Sequence, residues 1–374
     1  MNRTHFIVMS FGFYVILAVI ISGCQVGATE PVPTTQLVNL DRPLVESPGG
    51  SVIVALGLDE GSPYYRIEYK DQQVILPSKL GFVLKDGSSF NQNLKFVSAE
   101  IRTFDKPWTQ VWGEVEEVSN HYNELRVTLR EQTAAPREMM LVFRVYDDGV
   151  GFRYEFPEQE FLKEFEIQDE VTEFVMSGNH KVWFIPAYQR NRYEYLYLQK
   201  TISWFGGSSI RALHTPVTME TETGLFLTIH EANLTDYAAM SLAPGQNFTL
   251  SADLAPWSDG TRVKGAAPME TPWRTIQIEE QSGELITNNL ILNLNEPNVL
   301  ENTSWIKPGK YVGVWWEIHL DISTWGSGPK HGATTENVKR YIDFASENGF
   351  DGVLVEGWNT GWDGEWWGDG RAIH

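Results

Sequence analysis

The sequence predicts a multidomain β plus α/β protein, a large N-terminal β-sandwich followed by the start of a (β/α)8 barrel. Three observations carry this expectation. From Leu37 to about Leu294 the chain is a succession of short runs rich in β-branched and aromatic residues, separated by turn signals and almost free of helical period. After Pro308 the pattern changes, and Thr334–Asn348 takes up the spacing of an amphipathic helix. That helix lies between two apolar runs, so residues 311–355 read as a strand–helix–strand unit. The expected segments are 1–23 as a leader, 24–36 as a tether, 37–300 as the sandwich and 301–374 as the beginning of an incomplete barrel.

The leader opens with Arg3 and His5 and continues as an apolar run from Phe6 to Ile21. A membrane-spanning helix needs about 20 apolar residues, so the run is short for a span. It ends at Ile21-Ser22-Gly23-Cys24, with small residues just before the cysteine. This reads as a signal peptide and resembles the bacterial lipoprotein kind. The resemblance implies that Cys24 becomes the first mature residue and carries lipid. Gln25 after it favours outer-membrane delivery, so the expected place is the periplasm or outer membrane, held by the lipid anchor only. Cys24 is the one cysteine in the chain, so no intrachain disulfide can form. Residues 25–36 are polar and proline-containing, as a tether requires.

Within the sandwich the strand candidates are Ser51–Gly57, Tyr64–Tyr69, Gln73–Leu76, Glu124–Leu129, Met139–Tyr146 and Gly151–Phe156. Ser47-Pro48-Gly49-Gly50, Lys85-Asp86-Gly87 and Asp147-Asp148-Gly149 supply the turns. Residues 126–130 alternate as a half-buried strand does, and Leu141, Phe143 and Val145 share one face.

Tyr311–Leu320 (YVGVWWEIHL) is the first strand candidate of the second region, with a single acid, Glu317. In the helix that follows, Val338, Tyr341, Ile342 and Ala345 form the apolar face. Thr334 or Thr335 caps its start, Gly349 is placed to stop it, and Phe350 can supply the apolar contact that accompanies such a stop. Gly352–Val355 then reads as a fully buried parallel strand. A barrel of this kind takes about 250 residues. Far fewer follow Lys310, so the chain is expected to be a fragment that is inactive by itself.

The net charge of −20 repels phosphate backbones and excludes nucleic acid as a partner class. Fourteen Trp and fourteen Tyr could include sugar-stacking platforms, although most belong in cores. There is no HExxH, CxxC, glycine-rich phosphate loop or GxSxG, so zinc, nucleotide and acyl-transfer chemistry lack support. Glu356 follows directly on the second parallel strand, where barrel enzymes keep their reacting groups. Glu317 stands among Trp315, Trp316 and His319. Two carboxylates near one mouth, flanked by Trp, are the raw material of glycoside hydrolysis; a structural ion pair is the alternative for each. Residues 188–197 pack aromatics around Glu194, which could line a sugar site, ligate calcium or simply be solvated on a strand.

At these residues the chain resembles glycoside hydrolase family 97, the calcium-dependent α-glycosidases. The resemblance runs through Ser47-Pro-Gly-Gly50, Leu76–Phe82, Trp112-Gly-Glu114, Asn120–Leu125, Tyr146–Tyr154 and Ile229–Tyr237. Its most specific blocks are Lys330-His-Gly-Ala-Thr-Thr-Glu336 and Gly352–Trp362. It implies an N-terminal β-supersandwich ahead of the barrel, Glu194 as a calcium ligand and Glu356 as a general base. It further implies that Glu317, Trp316, Trp358 and His331 contact substrate. The implied substrate is an α-glucan or maltooligosaccharide cleaved by inversion at terminal α-glucosidic bonds. A retaining α-galactosidase of the same family is the alternative, and a non-catalytic surface sugar-binding lipoprotein is the alternative from another class.

Overall fold

Alternation of inward and outward side chains builds the two large sheets of the sandwich. A computed structural model describes residues 36–189 and 195–356. Ser62–Tyr69 buries every second residue, so Tyr65, Ile67 and Tyr69 face the core. It belongs to an eight-stranded sheet whose spatial order is Leu213–His214, Met240–Pro244, Thr249–Leu254, Glu173–Met176, Gln72–Lys79, Ser62–Tyr69, Val52–Asp59 and Leu44–Glu46. The facing sheet has eleven strands and is centred on Glu138–Tyr146, Gly149–Phe156, Trp273–Glu279 and Phe226–Ala232, in that order. Leu94–Asp105 and His121–Glu131 extend one side of it, while Val217–Glu220, Lys181–Phe184 and Leu198–Thr201 extend the other. A three-stranded sheet of Val263–Ala266, Glu164–Glu170 and Phe82–Leu84 closes one flank.

Aromatic rings join these layers. The ring of Tyr65 lies 4.9 Å from that of Phe152 and 5.9 Å from that of Phe143, across the two large sheets. Phe82 meets Tyr154 edge-on at 4.5 Å, which ties in the small sheet. All five are fully or almost fully buried, and burying one such side chain stabilises by roughly 1.5–3 kcal/mol. The expected turns form as read. Gly50 and Gly87 both adopt positive φ (75° and 86°), and Asp147–Asp148 is the two-residue loop between Tyr146 and Gly149.

The reading of continuous β structure up to Leu294 is corrected at its end. Glu284–Thr287 (α1) and Leu290–Leu294 (α2) are short helices that lie on the outer face of the eleven-stranded sheet. Leu290 and Leu294 are buried there with Trp273, Tyr122, Val142 and Tyr146. Gly149–Phe156 is consequently buried on both faces. A Cβ on Gly151 would lie 2.3 Å from Leu294 Cδ1, so glycine makes room for α2.

In the second region, Tyr311–Gly313 and Gly352–Leu354 pair in parallel, with Thr335–Glu347 (α4) connecting them. Thr334 Oγ1 caps α4 by accepting the Asn337 amide at 3.2 Å. Beyond its end Gly349 takes φ +68°, the Phe350 amide donates to Ala345 O at 2.9 Å, and the Phe350 ring contacts Phe344. The strand–helix–strand unit therefore stands as expected, with two corrections. Tyr311–Leu320 is not one strand, because the chain leaves the sheet at Gly313 and coils into a helix, Trp315–His319 (α3). Gly352–Leu354 is not fully buried: Leu354 is 40% exposed, although α4 packs on this strand pair.

Candidate active site

Parallel strands deliver their C-terminal ends to the same edge, and that geometry positions the candidate residues. The Val314 amide donates to Leu354 O at 3.1 Å, so pairing persists to the point where each strand ends. From that edge the first strand leads into α3, carrying Trp316 and Glu317, and the second leads through Val355 to Glu356. Glu356 is half-buried two residues past its strand. Trp358 lies outside the described residues, as do Glu194 and Cys24.

Glu317 is held by side chains of the following loop and of α4, including the ion pair with Arg340 that was the alternative reading for it. One carboxylate oxygen accepts from Ser323 Oγ at 2.8 Å and Asn337 Nδ2 at 2.5 Å. The other accepts from Arg340 at 2.7 Å and the Tyr341 hydroxyl at 2.9 Å. Burial alone would raise its pKa, but the hydrogen bonds from Ser323, Tyr341 and Asn337 and the Arg340 charge hold it below the ordinary glutamate range. An ionised carboxylate with both oxygens filled acts here as the pin between α3 and α4. Gly332 is part of the same pin, because a Cβ there would sit 2.2 Å from Ser323 Oγ.

Trp316 is 55% exposed, tilted against Trp315 and His319 at centroid distances of 5.5 and 5.4 Å. His331 is exposed, with its Nδ1 3.1 Å from Gly326 O. In the segment around Glu194, Tyr188 adopts φ +58° and Leu196 is 88% exposed, so the described ends of that segment form a loop in place of the strand expected as one possibility. Among the described residues no three carboxylate or imidazole groups converge where a metal ion could sit.

Sequence reasoning missed the most heavily buried ionic cluster in the sandwich. Arg274 donates through Nε and Nη2 to both oxygens of Glu170 at 2.9 and 2.6 Å, and through Nη1 to Glu231 at 2.7 Å. Thr172 and Tyr237 donate to the remaining lone pairs of Glu170 at 2.8 and 2.9 Å. Burial pushes Glu231 above the ordinary glutamate range, while the Arg274 fork keeps Glu170 below it. Nothing in the spacing of these residues announces the cluster, since they come from three separate strands and two loops.

Comparison with known proteins assigns this architecture. The family profile described as Glycosyl-hydrolase 97 N-terminal matches residues 45–297, and that described as Glycoside hydrolase 97 matches residues 315–373. Solved structures of a glycoside hydrolase family 97 enzyme from Pseudoalteromonas sp. strain K8, in complex with panose and with acarbose, are 43% identical to the chain. They superpose with a TM-score of 0.82 over 89% of this chain and 50% of theirs. A retaining α-galactosidase of Bacteroides thetaiotaomicron is 26% identical over 346 residues, covering 83% of this chain and 49% of that protein. A β-arabinopyranosidase structure shares the fold at a TM-score of 0.70 and 20% identity. The chain thus spans about half the length of the relatives it matches. With both profiles falling in order, the first on the sandwich and the second from α3 onward, the chain belongs to glycoside hydrolase family 97.

Proposed function

We propose that this chain serves an α-glucosidase that removes terminal glucose from maltooligosaccharides or related α-glucans with inversion. The observation that carries the reading is Glu356, half-buried just beyond the second parallel strand of a family 97 chain. Inversion requires a carboxylate that holds a water on the face of the sugar opposite the leaving group. A Glu at a strand end is fixed by the backbone beneath it and is open to the site above. Panose is a trisaccharide of α-linked glucose, and its presence in the 43% identical structure favours the glucoside over the galactoside. Glu194 is proposed as one calcium ligand, residues 301–374 as the start of the barrel, and Cys24 as the lipid attachment that holds the protein at the outer membrane. Trp316 remains a candidate stacking surface for sugar.

The second reading, a retaining α-galactosidase, is favoured by the name of the Bacteroides relative at 26% identity. Initial rates on p-nitrophenyl α-glucoside and p-nitrophenyl α-galactoside, measured on the full-length enzyme with and without chelator, separate the two. The expected result is a glucoside preference lost on chelation, with Glu356→Gln lowering kcat by roughly 10²–10⁴-fold, the usual share of a general base. Glu317→Gln is expected to lower thermal stability while leaving KM nearly unchanged. Galactoside preference with an unaffected Glu356→Gln enzyme would remove Glu356 from the role of base.

A further inference from the structure

Trp257 is a large aromatic side chain left 60% exposed on a backbone that is held rigidly. It opens a tight turn in which its amide donates to Thr261 O at 2.8 Å and Gly260, at φ +82°, donates back to Trp257 O at 2.9 Å. Asp259 accepts the Thr261 amide at 3.0 Å and pairs with Lys85 and Lys264 at 3.3 and 3.2 Å. Lys85 also donates to Thr261 Oγ1 at 2.6 Å. The turn is therefore braced by Lys264 from one strand of the small sheet and by Lys85 just past the end of another. An indole presented this way loses little freedom when something packs on it.

Beside the ring lies a cleft of about 570 Å³. Its lining pairs small apolar surface, Ala238, Ala239 and Ala255, with polar groups at Ser258, Asp236 and Arg262. At Asp236 and Lys264 it meets a second, wider cleft of about 1190 Å³ that follows the small sheet. Four cations of this trough are matched by acids: Lys85 by Glu166 and Asp259, Lys264 by Asp259, Arg137 by Glu131 at 2.7 Å, and Arg262 by Asp253 at 3.2 Å. The lining of the two clefts carries five cations (Lys85, Arg137, Lys163, Arg262, Lys264) and five acids (Asp86, Glu164, Glu166, Asp236, Glu270), so neither sign is in excess. Two adjoining clefts with an exposed flat ring, apolar patches and charge-balanced polar edges match a pyranose chain, whose faces are apolar and whose rim carries hydroxyls.

We propose that this trough, with Trp257 as its platform, is a binding site for a neutral linear α-glucan, separate from the edge that carries Glu356. Only the identity of the sugar rests on the α-glucosidase reading. The site holds long substrates by their internal residues and leaves the hydrolysis of a single terminal residue untouched.

The test uses the full-length protein, in a Glu356→Gln background for binding and in the active enzyme for kinetics. Affinity electrophoresis is run in gels containing soluble starch or, separately, galactomannan. Trp257→Ala is expected to lose at least threefold in starch affinity, with Trp257→Phe retaining part of it. In the active enzyme Trp257→Ala is expected to lower kcat/KM on amylose at least threefold and leave p-nitrophenyl α-glucoside unchanged. Equal starch retardation of wild type and Trp257→Ala would overturn the site. So would a parallel fall on both substrates with a lowered Tm, which would make Trp257 a packing residue against the rest of the protein. Retardation by galactomannan alone, abolished in Trp257→Ala, would keep the site and sink its α-glucan assignment together with the glucosidase reading. Because retardation needs no turnover, an enzyme inactive on glucosides would fail the functional reading without touching this one.

Discussion

Arg274 shows what one buried cation does when it serves two acids. Its guanidinium is completely buried and divided between Glu170 and Glu231, each reached within 2.7 Å. Removing one partner of such a cluster strands a charge away from water, at a cost of about 3–5 kcal/mol. Arg274→Met is expected to lower the unfolding free energy by that amount in urea titration. The pH dependence follows from Glu170. Burial works against its charge, but the Arg274 pair and the hydrogen bonds of Arg274, Thr172 and Tyr237 prevail, so the folded pKa lies below the unfolded one. A depressed carboxyl adds stability above its unfolded pKa, and that stability is lost as pH falls through the folded value. The wild-type urea midpoint is expected to decline as pH drops below about 4.3, the free glutamate value, and Arg274→Met to flatten that acid limb. None of this was visible in the sequence, where Glu170, Glu231 and Arg274 look like three unremarkable strand residues. Glu317 was visible, but its partners were not, because the chain gives no sign that Asn337, Arg340 and Tyr341 turn back onto it from α4.

At the level of elements, legibility tracked how distinct the periodicity is. Thr335–Glu347 was readable nearly to the residue, since a capping threonine, a 3.6-residue apolar stripe and a stop glycine all agree. Trp315–His319 was not, because an apolar aromatic run satisfies strand and helix alike. The signal that separates them is faint: Val314 and Ile318, four apart, are the buried pair. Leu290 and Leu294 carry the same four-residue mark in α2. That helix offers a direct test of how an element is seated. Gly151→Ala places a methyl against Leu294, and overpacking of this kind costs typically about 1–3 kcal/mol. The double variant Gly151→Ala/Leu294→Ala is expected to lose less than the sum of the two single changes in urea melts, because the shorter side chain vacates the space the methyl needs.

Across the whole molecule, the division into a β region and a parallel strand–helix–strand unit was legible from the change of pattern after Pro308. The two family profiles fall on either side of that residue. The pairing of distant strands was not legible, since strand order depends on matching faces that many short runs could supply. Trp273–Glu279 is the decisive case. It lies between Gly149–Phe156 and Phe226–Ala232, in the interior of the eleven-stranded sheet, although it is the last strand of the sandwich in the chain.

That placement bears on biogenesis. As the polypeptide leaves the ribosome, the two neighbours of Trp273–Glu279 wait with open edges until residue 279 arrives. Unpaired edges of this kind invite association with other chains. The vulnerable interval closes before the strand–helix–strand unit of residues 311–354 exists, so both edges are covered when that unit begins to emerge. Residues 37–300 are accordingly expected to fold as a cooperative unit, and residues 37–272 to aggregate. Sedimentation of the two products after cell-free synthesis distinguishes the cases, and soluble monomeric 37–272 would refute the assigned order of assembly.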